Sequence, residues 1–432
     1  MIFDNNLLKD IENEFPRART DTWGSRRVFL DNGTGTLVLK RSAEAQYIAS
    51  LEHSANPGDS FRECREAGKF MQNGLQAVAD LLNAESAENI LSAQSATALF
   101  FQLSYALGNQ LDKRHNIVTT YYEHLSNVDP WRELVRRGAA GELRFAHLRP
   151  DGTLDVDHLE SLVDVNTKVI TVSAASNLLG SKSPLVEIGK IARRAGAYYV
   201  IDAVHHAAHG PLDVQEIGCD FMVISAYKFF TPKYISFMYG KKEHLESMRP
   251  YSAGKDHGTL HAKWHWGSPD QAKYAAVDAT IGYLAWLGDR VKDRYKERYT
   301  SYRGRARSLK IAMDAIDLYE KEISRAMLTG IDGLPGLVEI PRVKFHGLSD
   351  PNRLDERDPT FAFSVEGMAG RDVEKRLVED YKMAMRSMKY WSMSEDFFGY
   401  DMPLRASLVH YNTLEEVRMF LQAVRDICAV RS

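Results

Sequence analysis

Cysteine is scarce: Cys64, Cys219 and Cys428 are the only three in 432 residues. Widely spaced and odd in number, they make neither a disulfide framework nor a thiolate metal cluster. Neither sign of charge predominates, with Lys+Arg 55 against Asp+Glu 58 and a formal net charge of −3. A chain so balanced carries no electrostatic footprint for nucleic acid or for a membrane surface. No apolar run approaches the ~20 residues of a spanning helix, and the first ten residues place charges inside their short apolar stretch. These features read as a cytoplasmic protein whose partners are small molecules and another copy of itself. Repeats, low-complexity tracts and disordered linkers are missing as well.

What is present is an α/β pattern. Short β-branched or aromatic runs alternate with helical periodicity through the first two thirds of the chain, as in a parallel sheet wrapped by helices. Strands are expected at 116–120, 143–147, 168–174, 197–202, 221–225 and 235–239, with helices at 95–107, 131–138 and 185–195. A long charged helical stretch follows at 275–323, then strands at 337–344 and 360–365 and helices at 371–381 and 413–429. The chain divides into an N-terminal arm (1–30), a large domain (31–285) and a small α+β C-terminal domain (286–432).

The densest chemical signal is Tyr199-Val-Ile-Asp202-Ala-Val-His205-His206-Ala-Ala-His209-Gly, followed by Asp220-Phe-Met-Val-Ile-Ser225-Ala-Tyr227-Lys228-Phe-Phe. Two expected strands each end in polar residues, and open α/β sheets bind ligands at the carboxyl ends of their strands. Asp202 and Lys228, 26 residues apart, are therefore expected to face one pocket. An aspartate beside the pyridine nitrogen of pyridoxal 5′-phosphate (PLP) keeps that nitrogen protonated, and a lysine amine holds the cofactor covalently and moves protons.

This stretch resembles the class V aminotransferase family of fold-type I PLP enzymes, and within it the cysteine-desulfurase-like subgroup. The resemblance continues in order through Leu30-Asp-Asn-Gly, Ser95-Ala-Thr97, Glu123-His124-Leu-Ser-Asn127, Ser176-Asn177-Leu-Leu-Gly180, Trp266-Gly267-Ser268-Pro269 and Arg405-Ala-Ser-Leu-Val-His-Tyr-Asn412. It implies a large domain built on a mainly parallel, seven-stranded type of sheet. It also implies that Ser95, Ala96 and Thr97 present a helix N-terminus to the cofactor phosphate, with further contacts from Ser225 and Tyr227. His124 would stack on the ring, Asn177 and His205 would sit near the phenolic oxygen, and Asp202 would hold the pyridinium. Arg405, with Asn32 nearby, would take the substrate carboxylate. Gly267 and Ser268 resemble a pair that reaches the phosphate of the partner subunit, so a homodimer with shared sites is expected.

Two departures stand out. Tyr227 precedes the lysine where the subgroup commonly has histidine. More consequentially, the mobile-loop cysteine that takes sulfur in the desulfurases has no counterpart where Lys389-Tyr390-Trp391-Ser392-Met393-Ser394 stands. A thiolate's role in sulfur transfer cannot pass to Tyr or Ser. The expectation is therefore a lyase that cleaves the C–S bond of cysteine or a cysteine conjugate by β-elimination. Transamination and epimerisation are the alternatives, ahead of a true desulfurase or a non-catalytic PLP-binding protein.

Other motifs read blandly. Ser225-Ala-Tyr-Lys228 matches the Ser-x-x-Lys of penicillin-recognising enzymes, but no Lys-Thr-Gly or Ser-Asp-Asn accompanies it. His205 with His209, and His257 with His261 and His265, have the spacing of a metal helix. They lack a His-Glu-x-x-His arrangement or a cysteine ligand, so no metal is expected.

Overall fold

The central sheet takes its order from seven segments: Ile90–Ala93, Ser236–Gly240, Phe221–Ser225, Tyr198–Asp202, Thr167–Ser173, Asn116–Thr120 and Glu142–Ala146. The structure, a computed structural model, describes residues 2–252 and 258–429. Ser236–Gly240 runs antiparallel to both neighbours, and the remaining pairs are parallel. Phe221–Ser225 is buried along its whole length, which explains why it reads as an unbroken apolar run: helices cover both faces of a parallel sheet.

Six of these strands coincide with the expected ones to within a residue. The seventh, Ile90–Ala93, has only four residues and leads at once into Gln94-Ser95, too short a run for periodicity to register. Strand ends place chemistry as anticipated. Asp202 closes one strand, and the next, beside it in the sheet with Asp202 opposite Val223, leads into Lys228.

The helical stretch expected over 275–323 is two helices, Gln271–Val291 and Gly304–Thr329. The break spans Lys292-Asp-Arg-Tyr-Lys-Glu-Arg298, where charge interrupts the apolar period, and Arg298 returns to bond Asp314 on the second helix at 2.9 Å. The expected domain boundary at 285/286 falls inside the first of these helices.

The C-terminal part carries an antiparallel sheet in the order Arg386–Ser387, Leu404–Ser407, Thr360–Val365, Val343–His346. Helices Gly370–Glu379 and Leu414–Ala429 accompany it. The strand expected at 337–344 lies later, at Val343–His346, because Leu337 and Ile340 are buried in a turn-rich segment that precedes it. The N-terminal residues are part of the core. Helix Asn5–Glu14 buries Leu7 and Ile11, and Phe15 packs on Phe230, Tyr283 and Tyr411. Val28–Phe29 pairs with Met383–Ala384. Among the described residues no helix is long and apolar enough to cross a membrane.

Candidate active site

A cavity of about 600 Å³ opens at the carboxyl ends of the central strands, where the small sheet faces the large one. Ser95, Ala96, Thr97, His124, Asn177, Asp202, His205, Ser225, Tyr227, Lys228 and Arg405 all line it. Eleven residues expected from sequence to act together thus share one cavity, although they come from four strand ends, one helix start and the small sheet.

Ser95 caps helix Ala96–Gly108, its hydroxyl accepting from the Ala98 amide at 3.1 Å. The amides of Ala96 and Thr97 begin the helix and have no intrahelical acceptor to reach, so they are available to an anion. The Thr97 hydroxyl bonds Ser126 Oγ at 2.7 Å. The Ser126 amide donates to His124 Nδ1 at 3.1 Å, which leaves the ring proton on Nε2. Burial, then the charges of Lys228 and Arg405, lower the His124 pKa to about 4, so its imidazole is neutral at physiological pH.

Asp202 is buried, and one carboxylate oxygen accepts from the Val204 amide at 2.9 Å. Burial pushes its pKa up to about 6, against the pull of that amide and of Lys228. At neutral pH it is an anion that a ring N–H⁺ would satisfy. Lys228 Nζ donates to the Gly33 carbonyl. Burial and the nearby Arg405 lower its pKa to about 7, so free amine is available at neutrality. Ser225 Oγ is engaged with Ser236 Oγ at 2.7 Å, and His205 Nε2 meets Thr360 Oγ1 at 3.1 Å.

Arg405 sits on strand Leu404–Ser407 and is 1% exposed. It donates to the Asn177 carbonyl at 2.8 Å and to Thr34 Oγ1 at 2.6 Å, and stacks on the Tyr390 ring at 4.0 Å. Its nearest carboxylate, Asp31, stands 3.7 Å away and is also bonded by Arg386 at 2.8 Å. Buried Nε of Arg405 and Oδ1 of Asn177 have no protein partner. A guanidinium bonded to neutral acceptors, with a buried N–H left over, is prepared for an anionic ligand.

One expected residue faces elsewhere. Asn32 is turned from the cavity: its amide donates to the Ser407 carbonyl at 2.8 Å and its oxygen accepts from Tyr411, tying the two chain segments together. Gly267 and Ser268 line a separate cavity of about 290 Å³ with Ser92, Tyr234 and Tyr274. Of the histidines with metal-helix spacing, His257 lies outside the described residues, and His265 bonds Ser92 at 3.0 Å beside that second cavity.

Sequence reasoning passed over several residues. Glu123 is fully buried and accepts from Thr120, Ser173 (amide and hydroxyl) and Asn127 at 2.6–2.8 Å, anchoring the loop that carries His124. Its place directly before His124 in the quoted motif was the available signal. Asp358, far along the chain, brings a carboxylate within 4.8 Å of ring nitrogens of His205 and His209. These groups are already paired within the protein: His206 Nδ1 bonds Asp358 at 3.0 Å and His209 Nδ1 bonds Glu320 at 2.8 Å. Phe101, Met388 and Trp391 complete the cavity wall. Cys64, Cys219 and Cys428 are buried, and none lines it.

A probable cysteine desulfurase of Synechocystis is 30% identical over 97% of this chain and 95% of its own length. A cysteine desulfurase of Enterobacter is 31% identical over 84% of this chain and 83% of its own length. The apo structure of a cysteine desulfurase from Thermococcus onnurineus superposes with a TM-score of 0.82 at 23% identity, covering 97% of this chain and 98% of that one, and so shares its fold. The profile of the family described as aminotransferase class-V matches residues 28–305, and the chain belongs to that family of PLP-dependent enzymes.

Proposed function

We propose that this chain is a C–S β-lyase that acts on cysteine or a cysteine conjugate and passes no sulfur to a protein thiol. The supporting observation is the composition of the cavity wall. The segment facing Lys228 and Arg405 from the small domain is Met388-Lys389-Tyr390-Trp391, and the three cysteines are buried away from it.

The residues present fit PLP. Ala96 and Thr97 offer amides to a phosphate, Asp202 offers a carboxylate to the ring nitrogen, the orphaned Asn177 Oδ1 awaits a donor, and Lys228 supplies the amine. Bound there, PLP supplies an electron sink that acidifies the substrate Cα–H. Arg405 holds the substrate carboxylate by a bidentate pair, which fixes the orientation of Cα. The Lys228 amine takes the Cα proton. The protonated Lys228 amine returns that proton to the departing sulfur, and neutral His124, with its Nε2–H free of the Ser126 contact, stands in the same cavity as a hydrogen-bond donor. With cysteine and one water the products balance as pyruvate, ammonia and hydrogen sulfide. Gly267 and Ser268, outside this cavity in the single chain, fit a contact donated across a homodimer; sedimentation of a stable, active monomer would remove that part of the reading.

The deciding experiment replaces Cys64, Cys219 and Cys428 together by alanine or serine. The variant is expected to keep most of the turnover, releasing pyruvate and ammonia. Alanine as the product, or a persulfide on any of the three cysteines, would establish desulfuration instead. Keto acid with aminated cofactor would establish transamination.

A further inference from the structure

The cavity changes character from floor to mouth. Asp202, Lys228 and Arg405 converge at its floor. In the single chain Phe101, 41% exposed, and Trp391, 61% exposed, stand at its mouth, with Leu125 and Met388 in the same wall. Aromatic side chains left in water sacrifice the free energy that burial would return. Trp391 also holds φ at +55°, a conformation that bulky residues rarely adopt and that persists only where the surroundings impose it.

The surroundings do impose it. The Leu125 amide donates to the Trp391 carbonyl at 2.9 Å, and the Met393 amide to the Glu123 carbonyl at 2.8 Å. The Glu395 carboxylate accepts from the Tyr390 amide at 3.0 Å and completes a capping box with Ser392. The segment that carries the indole is therefore bolted to the segment that carries His124, and the two rings lie 6.2 Å apart. A fixed aromatic side chain beside the reacting centre is a binding surface, and nothing in a small polar thiol covers it.

We propose that the substrate is an S-substituted cysteine, a thioether whose apolar aryl or aralkyl group packs against Trp391 and Phe101 while Arg405 holds the carboxylate. The proposal rests on the elimination reading above. In the reaction the Cβ–S bond breaks with its electron pair leaving on sulfur, which takes the proton that Lys228 removed from Cα and departs as the aryl or aralkyl thiol. The three-carbon remainder gains the oxygen of water and leaves as pyruvate and ammonia, without net oxidation or reduction.

The test compares S-benzyl-L-cysteine, S-methyl-L-cysteine, S-carboxymethyl-L-cysteine and L-cysteine on the holoenzyme, following pyruvate. The expected kcat/KM for the benzyl compound exceeds that for the methyl compound by about tenfold or more, since only the aryl group buries itself on the rim. Trp391→Ala and Phe101→Ala should each shrink that ratio about fivefold or more. A readout independent of turnover is inhibition by 3-(benzylthio)propanoate, which lacks the α-amine: its inhibition constant should rise in Trp391→Ala while that of propanoate changes less. Pyruvate from all four compounds at similar efficiency, with the ratio unmoved by either variant, would overturn the proposal and leave elimination standing. Preference for the carboxymethyl compound would assign the mouth to Lys389 and overturn it too. No pyruvate from any of the four would refute the elimination reading, and this proposal with it.

Discussion

Replacing Gly33 by alanine probes how tightly the carboxylate site is assembled. The φ of Gly33 lies outside the left-handed region, so the backbone tolerates alanine and only space is at issue. The added Cβ would stand 2.6 Å from Ser407 Oγ, 3.0 Å from Arg405 Cζ and 3.2 Å from Arg405 Nε. The guanidinium must then retreat by roughly half an ångström to regain ordinary contact. It has little freedom to do so, being bonded to the Asn177 carbonyl and Thr34 and stacked on Tyr390. The Gly33 carbonyl also accepts from Lys228 Nζ, so one methyl group disturbs both the arginine and the lysine. Misplacement of a positioning group by 1 Å costs about 10²-fold, and half of that leads us to expect a loss of about tenfold or more in kcat/KM. Overpacking should cost about 1–3 kcal/mol in stability, which leaves the protein folded. Steady-state kinetics should show the loss with a raised KM, while visible absorption reports that the cofactor is retained. Gly35→Ala is the control, because its Cβ would meet only the Tyr227 ring, at 3.3 Å. Wild-type kcat/KM in Gly33→Ala, or equal losses in both variants, would refute the reasoning.

Because burial lowers the Lys228 pKa to about 7, uptake of added PLP by apo protein, followed by its visible absorption, should accelerate as pH rises through about 7 and level off above about 8. A rate that keeps climbing toward the pKa of an ordinary lysine would contradict this, and Lys228→Ala should show no lysine-bound absorption. Glu123→Gln presents an NH₂ group to a fixed N–H donor, the Ser173 amide or the Asn127 side chain, whichever oxygen it replaces, and should cost about 1–3 kcal/mol; an unchanged melting temperature would mean that the Glu123 cluster does not anchor its loop. His346 bonds Ser364 at 2.8 Å, and burial, then Lys344, lower its pKa to about 4. The unfolded chain takes up a proton on this ring below about 6.5 that the folded chain refuses until about 4, so stability present above 6.5 is lost as pH falls through that window, up to about 2 kcal/mol at pH 5. His346→Gln should accordingly narrow the difference in Tm between pH 7 and pH 5, and an unaltered difference would count against a neutral, buried ring.

The legible parts of the site are those whose chemistry and local structure coincide in a few consecutive residues. Asp202 and Lys228 each follow a buried run, so the strand and its functional end were readable together. Ser95 opens a helix whose cap and whose anion-binding role share one position. Residues that act through distant contacts were not readable. Thr34 earns no motif, yet it fixes Arg405 across the fold at 2.6 Å. Asn32 fell within a motif, but its side chain serves the junction with Ser407 and Tyr411, because the polar groups of that buried seam need partners more than the cavity does. Trp391 offered no local signal either, since its left-handed backbone is imposed by hydrogen bonds from the segment around His124.

The seam joining residues 31–34 to residues 405–412 bears on how the protein comes into being. Asn32 reaches partners 375 and 380 residues away, so closure of the substrate end waits for nearly the whole chain. The seven-stranded sheet is complete once Gly240 has left the ribosome, and at about 5–20 residues per second the arginine strand arrives many seconds later. During that interval the early half, with its lysine and aspartate already synthesised, has nothing with which to grip an amino-acid carboxylate. Synthesis itself thus separates acquisition of the cofactor end from acquisition of the substrate end, and a nascent or truncated chain is kept from turnover by the order in which its parts appear.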